Sequence, residues 1–165
     1  MIQGLKIVEN WISPEEEALY LEAIRNGVWE RSLKRRVQQF GPIYNYGTKI
    51  LDAEQKPLPS WMENSFQRLV EPFGRRPEQV IVNEYKVGQG ISRHIDSPRF
   101  GPVIASLSLL SDATMEMGIY NGEKMMIPLP RRSIAIMEKD ARNKWYHAIS
   151  NVPAERISIT FRTVN

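Results

Sequence analysis

AERISITFRTVN, residues 154–165, alternates without a break. Ile157, Ile159 and Phe161 fall on one side of an extended chain, and Arg156, Ser158, Thr160 and Arg162 on the other. A period of two over this length predicts a β-strand with one face in a core. The apolar side explains the strand. It does not explain two arginines opposite, the first followed two residues later by a hydroxyl. A guanidinium fork with a neighbouring hydroxyl suits a carboxylate, and the pair of arginines suits a dicarboxylic acid. Arg162 lies about 20 Å from Arg156 along such a strand, so both reach one small ligand only by leaning inward from opposite ends. The competing reading is a solvent-facing row of ion pairs.

Working back from that strand, VIVNEYKV (80–87), VIASLSLL (103–110), ATMEMGIY (113–120), EKMMIPLP (123–130) and SIAIMEK (133–139) are further short β-rich runs. Gly, Pro, Asn or Asp separate them, and Asn121-Gly122 is a hairpin signal. The N-terminal third reads differently. SPEEEALYLEAIRNG (13–27) predicts a helix capped by Ser13 and stopped at Gly27, with Leu19, Leu21 and Ile24 on its apolar side. A second helix is expected within PSWMENSFQRLVEPFG (59–74), with Trp61, Phe66, Leu69 and Val70 facing inward. Helices followed by strands point to a sandwich or barrel with supporting helices, not to alternating βαβ units.

The chain has 165 residues, enough for one domain with a full core. It has no cysteine, which excludes disulfides and thiolate metal sites and favours a reducing compartment. No signal peptide or apolar run of membrane-spanning length is seen, so the expected location is cytoplasmic or nuclear. Net charge is only +3, but Arg31, Lys34, Arg35 and Arg36 are clustered. Such a run is ordinarily a solvated surface and otherwise a contact for a polyanion.

The chemistry starts at GISRHIDSPRFG, residues 90–101, which holds one of two histidines. On an extended chain His94 and Asp96 project from one face about 6–7 Å apart, so both can reach one cation. The only other histidine, His147 in KWYHAIS, would be the third ligand. Two histidines and a carboxylate on one side of a metal form the facial triad of non-haem Fe(II) oxygenases. A hydrolytic zinc site with the same ligands, or a structural His–Asp hydrogen bond, is the alternative. Upstream, Asn83 and Tyr85 share a face just before Gly88 and Gly90, which read as turn residues and not as a phosphate loop.

In this order, Asn83-x-Tyr85, a glycine-containing turn, His94-x-Asp96, SLSLLS (106–111), LPRRS (129–133), His147 and Arg156-x5-Arg162 resemble the AlkB family. These are iron- and 2-oxoglutarate-dependent dioxygenases that act chiefly on alkylated nucleic acids. The resemblance runs from about Arg35 to the C-terminus. It implies a mostly β fold with N-terminal helices: a double-stranded β-helix, or jelly roll. The expected organisation is one AlkB-like domain over 1–165, a helical and substrate-loop extension at 1–78 and the jelly-roll core at 79–165.

The resemblance also implies His94, Asp96 and His147 as catalytic Fe(II) ligands. Arg156 would pair with the distal carboxylate of 2-oxoglutarate. Ser158, Asn83 and Tyr85 would add contacts, and Arg162 would serve the cosubstrate's other end. SLKRRVQQFGPIYNYGTK (32–49) looks like the substrate-facing loop, where Arg35 and Arg36 would hold phosphates and Tyr44 or Tyr46 would stack on an extruded base. Phe100 and the pair Arg131/Arg132 are weaker candidates.

The implied reaction consumes O2 and 2-oxoglutarate, hydroxylates a C–H bond and, on an N-alkyl base, releases an aldehyde. The expected partner is a single-stranded or base-flipped nucleic acid, DNA or RNA, with neither a membrane nor an obligate protein partner. The rival enzyme reading is a tRNA wobble-uridine hydroxylase, because RRVQQFG, SLSLLS and LPRRSIAIM look closest to the AlkB-like domain of such proteins. A protein demethylase lies within the same family. Outside enzymes, the rival is a non-catalytic, metal-containing nucleic-acid-binding jelly roll.

Overall fold

The computed structural model describes residues 1–31 and 33–165; Ser32, the first residue of the expected substrate-facing segment, lies outside the described residues. Among the described residues the elements are, in chain order, β1 (Leu5–Val8), α1 (Pro14–Arg25), β2 (Val37–Asn45), β3 (Ile50–Lys56), a 3₁₀ turn at Ser60–Met62, and α2 (Glu63–Phe73). Then follow β4 (Gln79–Tyr85), β5 (Ile91–His94), β6 (Phe100–Leu109), β7 (Ala113–Gly118), β8 (Lys124–Leu129), β9 (Ile134–Met137), α3 (Lys139–Asn143), β10 (Tyr146–Ile149) and β11 (Arg156–Val164).

The strands form two antiparallel sheets. The larger has seven strands in the order β1-β9-β6-β11-β4-β2-β3, and the smaller four in the order β5-β10-β7-β8. This is the expected double-stranded β-helix. β11 lies at the centre of the larger sheet, with one edge paired to β6 and the other to β4. On one face Ile157, Ile159 and Phe161 join Val80 and Val82 of β4 and Tyr20, Ile24, Phe66 and Leu69 of the two helices. The rings of Phe66 and Phe161 meet edge-to-face at 5.8 Å. Truncating a phenylalanine so enclosed costs about 3–5 kcal/mol. The other face looks across a cavity to the smaller sheet, and it is the polar one. Beside that cavity a second cluster, including Ile104, Met115, Met137 and Ile149, closes the gap between the sheets.

α1 starts where expected. The Ser13 hydroxyl accepts from the Glu16 amide at 3.0 Å, and the Glu16 carboxylate accepts from the Ser13 amide at 3.4 Å. Such a capping box is worth about 1 kcal/mol. Two inward positions need correcting. Leu19 is 65% exposed and Val70 is 43% exposed. The buried face of α1 is instead Glu17, Tyr20, Leu21 and Ile24. Glu17 is turned inward because Arg131 and Arg132 hold its carboxylate and the Leu110 amide donates to it. In α2 the stripe is Ser65, Phe66, Leu69 and Phe73, and Val70 falls about 100° beyond Leu69.

The first 78 residues also supply more than helices and a loop: β1, β2 and β3 all pair into the larger sheet. β2 escapes a reading by periodicity because VQQFGPIYN carries amides, Gly and Pro. Its buried amides are satisfied by hydrogen bonds: Gln38 donates to the Ile24 carbonyl, and Gln39 both donates to the Tyr44 carbonyl and accepts from the Tyr44 amide. No helix among the described residues is long and apolar enough to cross a membrane.

Candidate metal centre and cosubstrate cavity

Two short strands bring the histidines together. β5 and β10 run antiparallel with His94 directly opposite His147. Gly90 lets them close: a Cβ there would sit 2.2 Å from the Ile149 carbonyl oxygen. Gly88, with φ of +86°, makes the turn that feeds β5. Asp96, just past the end of β5, is buried. Its Oδ1 lies 3.4 Å from Nε2 of His94 and 3.4 Å from Nε2 of His147. One ligand atom from each residue falls within 4.8 Å of the other two. The His94 Nδ1 is 2.8 Å from the Ser92 carbonyl, so it carries the proton and donates, which leaves the Nε2 lone pair facing the other ligands.

The charges suit a cation. Burial opposes ionisation of Asp96, yet the Arg162 guanidinium and the two imidazoles outweigh it and hold the carboxyl well below the usual range. Arg162 donates to Oδ2 from Nε at 2.8 Å and from Nη2 at 2.7 Å, so Oδ1 remains for the metal side. His147 is pushed down to about 4, mainly by burial, with Asp96 opposing and His94, Arg162 and Arg142 assisting. It is therefore neutral at pH 7, as a ligand must be. Two imidazole nitrogens and one carboxylate oxygen on one side, with space opposite, form a donor set that fits Fe(II).

The cavity between the sheets, about 720 Å³, is lined by all three of these residues together with Asn83, Tyr85, Arg156, Ser158 and Arg162. Arg156 is the unusual group. It is 1% exposed; Nη2 donates to the Ser108 hydroxyl at 2.9 Å, while Nε and Nη1 have no partner among the described residues. Tyr85 lies beside it, ring centroid 5.2 Å from the guanidinium carbon. Burial pushes this guanidinium's pKa down, with Tyr85 partly opposing. A buried cation with two idle donors facing a cavity matches the carboxylate of an acid.

The basic, aromatic segment divides. Arg35 donates to Asn83 Oδ1 at 2.9 Å, and with Tyr44 and Tyr46 it lines the cavity. The two tyrosines meet edge-on at 5.1 Å, and Phe100 lies 5.4 Å from Tyr44, forming one aromatic wall. Arg36 points elsewhere. It binds both oxygens of Glu84 at 2.7 and 2.9 Å and covers the Trp29 ring, so it does not meet the cavity. Arg131 and Arg132 are likewise committed to Glu17. The sequence alone did not disclose Ser108 as the partner of Arg156 or Lys49 at the cavity rim. Ser108 sits on the same face as Ser158 through the β6–β11 register, so alternation within SLSLLS was the available signal.

A family model described as the 2OG-Fe(II) oxygenase superfamily matches residues 30–162. The tRNA (carboxymethyluridine(34)-5-O)-methyltransferase ALKBH8 of Macaca fascicularis is 36% identical over 161 residues, covering 89% of this chain. The match takes up 24% of that relative, so the chain spans about a quarter of its length. Uncharacterized protein L905 of Acanthamoeba polyphaga mimivirus is 32% identical over 186 residues, covering 99% of this chain and 86% of its own. The solved structure of OsALKBH1 shares the fold with a TM-score of 0.76 at 14% identity, covering 97% of this chain and 96% of that one. The chain belongs to the 2OG-Fe(II) oxygenase superfamily and, within it, to the AlkB-like enzymes: it is a 2-oxoglutarate-dependent dioxygenase whose cofactor and cosubstrates are Fe(II), 2-oxoglutarate and O2.

Proposed function

We propose that the protein oxidises an alkyl group carried by a nucleobase in a nucleic acid, removing it when it hangs from nitrogen. The observation that carries this reading is the composition of the cavity. The triad, Arg156, Arg35, Tyr44, Tyr46 and Phe100 all line it. Aromatic rings beside a guanidinium suit a flat base on a polyanionic backbone. A base in a duplex cannot enter such a cavity, so the substrate is single-stranded or flipped.

Fe(II) with 2-oxoglutarate and O2 supplies the oxidation of an unactivated C–H bond, 2-oxoglutarate leaving as succinate and CO2. The chain does the rest. His94, Asp96 and His147 hold the metal on one side. Arg156 receives the distal carboxylate through its idle Nε and Nη1, with Ser158, Asn83 and Tyr85 around it. Arg162 secures Asp96 and would serve the other end of the cosubstrate. Tyr44 and Tyr46 orient the base, and Arg35 steadies its backbone. A hydroxyl placed on carbon bound to nitrogen gives a hemiaminal, which breaks to release an aldehyde. On carbon bound to carbon the hydroxyl stays.

That second outcome is the rival reading, hydroxylation of a uridine side chain in tRNA. It is favoured by the 36% identity to a relative named for carboxymethyluridine 34 of tRNA. The deciding experiment is mass-spectrometric product analysis with N-methylated DNA and RNA oligomers and with tRNA carrying 5-substituted uridine. Formaldehyde with the N-methyl oligomers is expected. A stable gain of one oxygen on tRNA alone transfers the assignment to the rival, and succinate formation that no nucleic acid stimulates defeats both.

A further inference from the structure

We propose that Arg142 is a positioning residue for the metal triad, a clamp that sets Asp96 against His147 from outside the cavity. Arg142 sits in α3, five residues before His147, and is 5% exposed. Its guanidinium binds four backbone carbonyls of the segment that leaves β5: Asp96 from Nη1 at 3.0 Å, Ser97 and Phe100 from Nη2 at 2.8 and 3.3 Å, and Gly101 from Nε at 3.2 Å. No acidic side chain hydrogen-bonds to it among the described residues. A buried cation bonded only to carbonyl oxygens, with the Asp96 carboxylate its nearby opposite charge, is costly, and an apolar side chain would fill the space without that cost. What a guanidinium alone provides is five donors in one rigid plane, able to gather a loop around a point.

The geometry explains the choice. His147 is aligned by the β10 ladder, whereas Asp96 lies beyond the last residue of β5, outside any strand. Its side chain is held by Arg162 at Oδ2. Its main chain is held by Arg142, which grips the carbonyl of the same residue from behind. α3 in turn is tied down by the Ala141 amide donating to the Gln3 carbonyl at 2.9 Å and by the buried Trp145 that follows it. One side chain thus links the chain segments that deliver two of the three ligands.

The test uses Co(II), which binds such sites without oxygen chemistry and whose visible spectrum reports coordination geometry. Arg142→Lys and Arg142→Met are compared with the native protein and with Glu17→Gln, a destabilising change remote from the site. Both Arg142 variants are expected to bind Co(II) about 10–100-fold more weakly, with altered bands. Glu17→Gln should lower Tm and leave Co(II) affinity and spectrum unchanged. A folded Arg142→Lys that binds Co(II) within twofold of native, with the same spectrum, overturns the proposal. Should both variants fail to fold, hydrogen exchange on the native protein decides it. Co(II) should protect residues 97–101 and 139–145 together, and protection confined to 91–96 refutes the clamp.

Discussion

The two ends of β11 carry the same side chain in opposite situations. At one end Arg156 is fully buried, satisfied by a single hydroxyl, with two nitrogens idle toward the cavity. At the other, Arg162 is engaged by both a metal-ligand carboxylate and the Phe100 ring, 4.3 Å from its guanidinium carbon. Among the described residues one arginine lacks an anion and the other has one. In the proposed function the difference separates two tasks along a single strand: holding the incoming acid and holding the residue that holds the metal.

The sharpest way to break this contrast is Arg156→Met. Removing one partner of a buried charged hydrogen bond costs about 2–5 kcal/mol, so 2-oxoglutarate affinity should fall by that amount while Co(II) binding without cosubstrate is unchanged. Equal weakening of both, measured by calorimetry, would erase the division between the ends. Arg162→Met should act on the metal. Asp96 loses its cationic partner, and metal affinity should drop about 10–100-fold, with a steeper loss at acid pH than in the native protein. An unchanged Co(II) titration would disprove this role for Arg162.

A smaller effect belongs to His147. Its folded-state value is lowered to about 4, so between there and the ordinary imidazole value near 6.5 the unfolded chain binds the extra proton. The metal-free protein is therefore fully stabilised in this respect above pH 6.5 and loses stability as pH falls toward 4, by about 1–2 kcal/mol at pH 5. Denaturant titrations should show this slope, and His147→Gln should flatten it. The least effect is expected from Ser108→Ala, which removes the one neutral partner of Arg156. About 0.5–1.5 kcal/mol in 2-oxoglutarate affinity is predicted from binding isotherms. A loss as large as that of Arg156→Met would mean that Ser108 touches the acid itself.

Much of this site was legible because its chemistry is spaced by strand geometry. Arg156-x-Ser158 reads as two groups on one face of a strand, and His94-x-Asp96 reads likewise, although Asp96 stands beyond the end of β5 and is held by Arg162. The helices were legible through their caps. Their inward faces were legible in part: Leu21, Ile24, Phe66 and Leu69 are buried as read, but Glu17 is buried against arginines more than a hundred positions downstream and Leu19 turns outward. β2 was hidden for a similar reason: its polar residues are satisfied by partners that exist only after folding. Arg35 and Arg36 are adjacent and chemically identical. Only the placement of Asn83 and Glu84 on opposite faces of β4 sends one to the cavity and the other to Glu84 and Trp29.

Sequence by itself determined the strand that carries both arginines and the β-rich class, since each follows from residue identity at a period of two. Through the family resemblance it pointed to His94, Asp96 and His147. The tertiary structure alone decided that His147 faces His94 across paired strands, that Arg156 is left with idle donors and that Arg162 is already engaged. Those are matters of register and burial between distant segments, and no local interaction encodes them.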